Sequence, residues 1–177
     1  YRFYEESHLE ADKKKSEDGD ALPGGSELSD GKTVTGVELD MIVPDSLEAL
    51  KLYESIFDLR RIEVTDFPKG QNEVIFSIYD AHFHMLDENP EFQMIAPKPG
   101  DPKPNWYNVT VPDISAAYAK ALGAGCAEIQ PITEYETHGV KNSMFSDPFG
   151  YIWMLHEVVR EVSFEERIRA YEKMEAL

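Results

Sequence analysis

Cysteine is nearly absent from this 177-residue chain, with Cys126 standing alone, so no disulfide can form within it and a cytoplasmic setting is expected. Positive charge is scarce too: 17 Lys and Arg face 34 Asp and Glu, a formal charge of -17. A field of that sign repels phosphate backbones and anionic headgroups, which argues against nucleic acid and membrane surfaces and favours neutral or cationic partners. No apolar run approaches the roughly 20 residues a bilayer span needs, and no signal-peptide pattern opens the sequence. What remains is 42% hydrophobic residues, enough to bury one globular core.

That core is not spread over the whole chain. Residues 1–33 are mostly charged, Ser and Gly residues, including Lys13-Lys14-Lys15 and Pro23-Gly24-Gly25, and read as a flexible acidic arm. Its aromatic opening, Tyr1, Phe3 and Tyr4, offers something for a partner subunit to hold. Residues 88–105 hold five of the eleven prolines and read as an extended linker, neither strand nor helix.

Either side of this linker the sequence repeats. Val43-Pro44-Asp45 with Ala49 recurs 68 residues later as Val111-Pro112-Asp113 with Ala117, the mark of a doubled module. An alternating apolar run precedes each motif: Val37, Leu39, Met41 and Val43, then Tyr107, Val109 and Val111. Each predicts a strand. Each Asp sits where a helix N-cap belongs, and Glu48 placed three after Asp45 predicts a capping box, with helices over 46–57 and 114–123. Strand-like segments follow at 60–67, 73–79 and 82–87, and again at 127–133, 141–146 and 151–159. The predicted order is βαβββ, twice, in modules at 34–87 and 106–159. Ser146-Asp147-Pro148-Phe149-Gly150 predicts a hairpin in which Gly150 takes a positive φ. Ser163-Phe164-Glu165-Glu166 predicts a second capping box and a helix within 160–177, its Phe164, Ile168 and Tyr171 packing on the domain or on a second subunit.

The doubled βαβββ plan, the two Val-Pro-Asp motifs, and His138-Gly139 leading to Ser146-Asp147-Pro148-Phe149-Gly150-Tyr151-Ile152-Trp153-Met154 resemble the glyoxalase, bleomycin-resistance and ring-cleaving dioxygenase superfamily, the vicinal oxygen chelate fold. The Pro-Phe-Gly and Trp resemble its PhnB-like subgroup. The resemblance covers about 34–159 and implies an α+β fold, two modules forming a curved mixed sheet around a cleft, with the arm and final helix as additions. It also implies a homodimer. In that family four side chains commonly hold a divalent ion such as Zn, Ni, Mn or Fe. Carried over, these positions are Glu38, His84, Trp106 and Met154. The last two bind no hard cation, so the expectation is a cleft without a metal cofactor.

Alternation adds Asp40 beside Glu38, His82 beside His84, Asn108 beside Trp106 and His156 beside Met154. Glu38 and Asp40 could pair for general-base chemistry, and a metal site shifted along the strands could use Glu38 or Asp40, His82 or His84, and His156. Trp106, with Met154, Met144 and Phe92, could clasp a planar or aliphatic ligand. Three functions follow. The first is a small-molecule binding protein for a neutral or cationic ligand. The others are a metal-dependent lyase, isomerase or dioxygenase, and a dimeric structural protein with a vestigial cleft.

Overall fold

The computed structural model describes residues 38–175. The expected arm at 1–33 and the expected start of the first strand at Val37 lie outside them. Two four-stranded sheets form, each beginning with a strand that hands straight to a helix. In the first module β1 (Leu39–Val43) leads into α1 (Ser46–Ile56), followed by β2 (Leu59–Val64), β3 (Glu73–Ile78) and β4 (Ala81–Asp87). In the second, β5 (Tyr107–Thr110) leads into α2 (Ile114–Gly123), followed by β6 (Ala127–Tyr135), β7 (Val140–Ser146) and β8 (Ile152–Val158). A last helix, α3, spans Phe164–Glu175. The sheet orders are β1-β4-β3-β2 and β5-β8-β7-β6. The first and last strands of each module run parallel and the others antiparallel. The fold is therefore α+β, two like modules with a C-terminal helix. Among the described residues no helix is long and apolar enough to cross a membrane.

Asp45 and Asp113 cap their helices as expected, accepting from the backbone N–H of Glu48 at 3.0 Å and of Ala116 at 2.9 Å. The capping box is only half built, because the Glu48 carboxylate pairs with Lys51 instead of reaching back to Asp45. The same holds at α3, where Ser163 accepts from Glu166 N–H while the Glu166 carboxylate pairs with Arg160. In each case a charged donor outcompetes a neutral backbone N–H for the glutamate. The 88–105 segment also departs from its purely extended expectation: Pro90–Phe92 make a 3₁₀ turn, with Asn89 bridging to Met94. Proline at the first position of a turn gives up an N–H that would have had no partner there.

A second anion reaches each helix N-terminus from the module's own last strand. Asp87 of β4 accepts from Ser46 N–H and Ser46 Oγ, both at 2.7 Å, and Glu157 of β8 accepts from Ile114 N–H at 2.7 Å. The sequence repeat thus extends to a repeated tie between strand and helix, favoured by the free N–H groups and dipole of the first turn. Asp87 is buried and also accepts from Gly70 and Asn72 N–H, at 2.7 and 3.1 Å. Burial alone would raise its pKa, but these bonds together outweigh it and hold the carboxyl below its ordinary 3.8. The folded state then binds this proton less readily than the unfolded chain. Asp87 stabilises fully above 3.8, and the contribution fades as pH falls through the lower folded value. Asp87→Asn is expected to lower the urea midpoint at pH 7, with the deficit narrowing as titration proceeds below pH 3.8. A deficit constant across that range would contradict this account.

One core joins the modules. Trp153, fully buried, lies with ring centroids 4.9 Å from Tyr107, 5.1 Å from Tyr53 and 5.1 Å from Phe57, the last two on and just after α1. Met41, Val43, Val74, Phe76 and Met85 of the first sheet and Val109, Phe145 and Leu155 of the second belong to the same cluster. The helices cover these faces, so the opposite face of each sheet carries the polar residues that alternate with the core. Cys126 is packed at its margin, and burial pushes its thiol up to about 12. It is a small core residue, not a reactive one.

Candidate functional site

The open face of the first sheet is set by register. Asp40 lies opposite His84, and His84 opposite Ile75, so Asp40, His84 and Glu73 share that face. His84 is held between two carboxylates: Nδ1 is 3.2 Å from Asp40 Oδ1 and Nε2 is 3.2 Å from Glu73 Oε2. Glu38 completes the group, since one ligand atom each from Glu38, Asp40 and His84 lies within 4.8 Å of the others. His84 is mostly buried, at 13% side-chain exposure, whereas Asp40 is open at 56%. His82, two residues before His84, is exposed opposite Ser77. Glu73 is the residue that sequence reading missed. Alternation along β3 could place it on a face, but only the strand register could bring it to the imidazole.

The second sheet carries the other candidates. Asn108 and Met144 flank Met154, and Thr110 and Asn142 flank His156. His156 Nδ1 and Asn142 Oδ1 are both buried without a protein partner. Trp106 precedes β5 and remains 53% exposed. Met144, Met154 and Phe92 are not among the residues lining the cavity beside it. It lines a cavity of about 230 Å³ together with Ile95, Pro97, Lys103, Pro104 and Asn105 from the proline-rich segment, and Tyr107, Tyr151 and Ile152.

Tyr107 and Tyr151 connect this cavity to the first sheet. The Tyr151 hydroxyl donates to Ile42 O at 3.0 Å and accepts from Ile42 N–H at 2.9 Å. Burial pushes this phenol up to about 12. Tyr107 packs edge-on to Phe83 at 5.5 Å, and its phenol is raised further, first by burial, then by Tyr151, Asp147 and Asp40. Both are neutral hydrogen-bonding walls at ordinary pH, not acids or bases.

With this geometry in hand, known proteins place the chain. The family model for the Glyoxalase/Bleomycin resistance protein/Dioxygenase superfamily matches residues 37–155, well over half the sequence. The chain belongs to this superfamily. Two uncharacterised proteins, one of Mycobacterium bovis and one of Mycobacterium tuberculosis, are each 27% identical over 132 residues, covering 71% of this chain and 85% and 76% of their own lengths. Among solved structures, a mutant of the fosfomycin resistance protein FosX from Listeria monocytogenes, bound to Mn(II) and 1S,2S-dihydroxypropylphosphonic acid, superposes with a TM-score of 0.56 at 15% identity, covering 78% of this chain and 99% of that one. TioX from Micromonospora sp. ML1 gives 0.53 at 12% identity (73% and 100% covered), and the PhnB protein of Bacillus cereus 0.54 at 16% (70% and 99%). At these identities the neighbours share the fold, and the glyoxalase-superfamily residues must be judged on their own chemistry.

By that measure Glu38, Asp40 and His84 suit a divalent ion. They offer two carboxylates and an imidazole, and three protein donors is the number catalytic sites keep. Glu73 on the far nitrogen of His84 is the kind of carboxylate partner that orients a ligating histidine.

Proposed function

We propose that this glyoxalase-superfamily protein is a small-molecule binding protein for neutral or cationic ligands, with binding residues on the open sheet faces and at Trp106. The observation that carries this reading is the pair of apolar side chains, Trp106 and Met154, at positions where the resemblance implies metal ligands. It is supported by a half-exposed tryptophan lining a partly open cavity, an arrangement suited to stacking on a ligand. Zinc, manganese or nickel is expected to bind no more tightly than about the micromolar range, about -8 kcal/mol, because Glu38 and Asp40 are exposed and His84 already has partners at both nitrogens. Titration calorimetry on the unaltered protein checks this.

A second reading is a metal-dependent lyase, isomerase or dioxygenase, and the clustering of Glu38, Asp40 and His84 is the observation that favours it. A metal there would be held by these three residues and would polarise a substrate oxygen. Glu73 would hold the His84 ring in place. Submicromolar metal binding that is lost in His84→Ala, and weakened about 10- to 100-fold in Glu73→Gln, would put this reading first.

The chain is also proposed to form a homodimer. Phe164 and Ile168 lie at helical spacing on α3 and are exposed, Phe164 at 65%, whereas Tyr171 already packs on His138, its hydroxyl 2.6 Å from Nε2. Sedimentation at micromolar concentration is expected to give twice the 20.1 kDa chain mass. A monomer whose behaviour is unchanged by Ile168→Asp would overturn the assignment.

A further inference from the structure

We infer that the cavity beneath the proline-rich segment is a binding site for a neutral, planar aromatic molecule carrying a hydrogen-bond acceptor on its edge. The inference rests on the small-molecule reading above and names the ligand class and place within it.

The cavity is built before any ligand arrives. Its floor is Tyr107, packed on Trp153 and Phe83, and Tyr151, tied to both the N–H and the C=O of Ile42. The proline-rich segment lies against it: the Pro97 carbonyl is so close to Gly150 that a Cβ there would be 2.4 Å away, while the pocket stays partly open to solvent. Trp106 and Ile95 nevertheless remain 53% and 63% exposed. Two large apolar side chains left open over a packed aromatic floor point to a flat occupant. A volume of about 230 Å³ lies below the roughly 300–1,000 Å³ of drug-sized pockets, which limits the occupant to one or two fused rings.

Charge narrows the class. Lys103 is the cavity's charged residue; its ammonium donates to Lys98 O at 2.6 Å and has two further N–H groups to offer. An acceptor on the ligand edge satisfies one of them, and Asn105 supplies another amide beside it. A cationic ligand would meet Lys103 at close range. An anionic one would have to approach a chain of formal charge -17. A neutral ring system with a carbonyl or ring-nitrogen acceptor escapes both penalties.

Three bicyclic probes separate the possibilities: coumarin (neutral, with an acceptor), 2-naphthoate (anionic) and N-methylquinolinium (cationic), each titrated into the ¹⁵N-labelled full chain. The two indole N–H signals report separately, since Trp153 is buried with its N–H bonded to Asp147 and Trp106 is open. Coumarin is expected to shift the Trp106 indole and the Ile95, Asn105 and Ile152 amides saturably, leaving the Trp153 indole in place. It should bind at least several-fold more tightly than the charged probes. Trp106→Ala should weaken it about tenfold or more, and Lys103→Met should weaken it about three- to tenfold while the uncomplexed spectrum stays folded. Tighter binding of either charged probe, or an affinity indifferent to Trp106→Ala, overturns the inference. Shifts confined to Asp40, His84, Asn108 and Met154 also overturn it while leaving the small-molecule reading intact. Absence of any shift with all three probes overturns it too, and the broader reading is then decided by binding at the open sheet faces.

Discussion

Asp147→Ala is expected to lower stability by about 4 kcal/mol or more, a large share of the 5–15 kcal/mol that holds a typical domain together. The Asp147 carboxylate is buried at the junction of the modules. Its Oδ2 accepts from Tyr53 OH and Trp153 Nε1–H, both at 2.8 Å, and its Oδ1 from Phe149 and Tyr151 N–H, both at 2.9 Å. Removing it leaves a phenol and an indole N–H, both on fully buried side chains, without acceptors, at about 1–3 kcal/mol each, and also loosens the turn. Asp147→Asn keeps the shape and one acceptor and should cost clearly less. Urea unfolding of the two variants checks the order; an alanine variant within about 1 kcal/mol of the parent would show that the junction does not depend on this group.

The same residue gives stability a pH slope opposite to that of Asp87. Burial raises the Asp147 pKa, and its hydrogen bonds only partly offset this. Here the folded state binds the proton more readily than the unfolded chain. Stability contributed by Asp147 is complete below 3.8 and is lost as pH rises through the higher folded value. The two buried aspartates therefore titrate on opposite sides of 3.8, and Asp147→Asn should remove the decline above it while leaving the acid-side loss.

Gly150→Val should be comparably damaging, by about 3 kcal/mol or more. Gly150 takes φ +93°, which alone strains an L side chain by about 1–3 kcal/mol. An added Cβ would also meet backbone, Pro97 O at 2.4 Å and Pro97 C at 2.8 Å, adding an overpacking cost of about 1–3 kcal/mol. Gly125 separates the two effects: it has the same φ of +93° but open space around its Cβ, so Gly125→Ala should show the strain alone. Thermal unfolding with Gly150→Val no worse than Gly125→Ala would mean that the proline-rich segment does not press on the hairpin.

Sequence reading reached the local features and stopped where distant strands meet. The Val-Pro-Asp repeat located both helices because an N-cap acts within three residues, and Asp147-Pro148-Phe149-Gly150 revealed its hairpin because turn chemistry is equally local. The first module's hairpin gave little signal because Tyr79, with no Gly or Asn, adopts φ +51°. Asp147 was legible as a turn residue, but not as the acceptor for Tyr53, 94 positions away. Glu73 escaped for the same reason, since its meeting with His84 depends on how β3 registers against β4. At the candidate site, the resemblance paired Glu38 with His84 and alternation added Asp40 beside Glu38, whereas the surroundings of Trp106 depend on the path of a proline-rich segment that has no periodicity to read.

The bond pair between Tyr151 and Ile42 makes the first half depend on the second. β1 borders its sheet, and a bordering strand offers its peptide groups to any passing chain. One phenol from the second half occupies both the N–H and the C=O of Ile42. A copy of the first half made alone would leave both groups open, so the two modules are not interchangeable parts. The second half finishes a border that the first half leaves open.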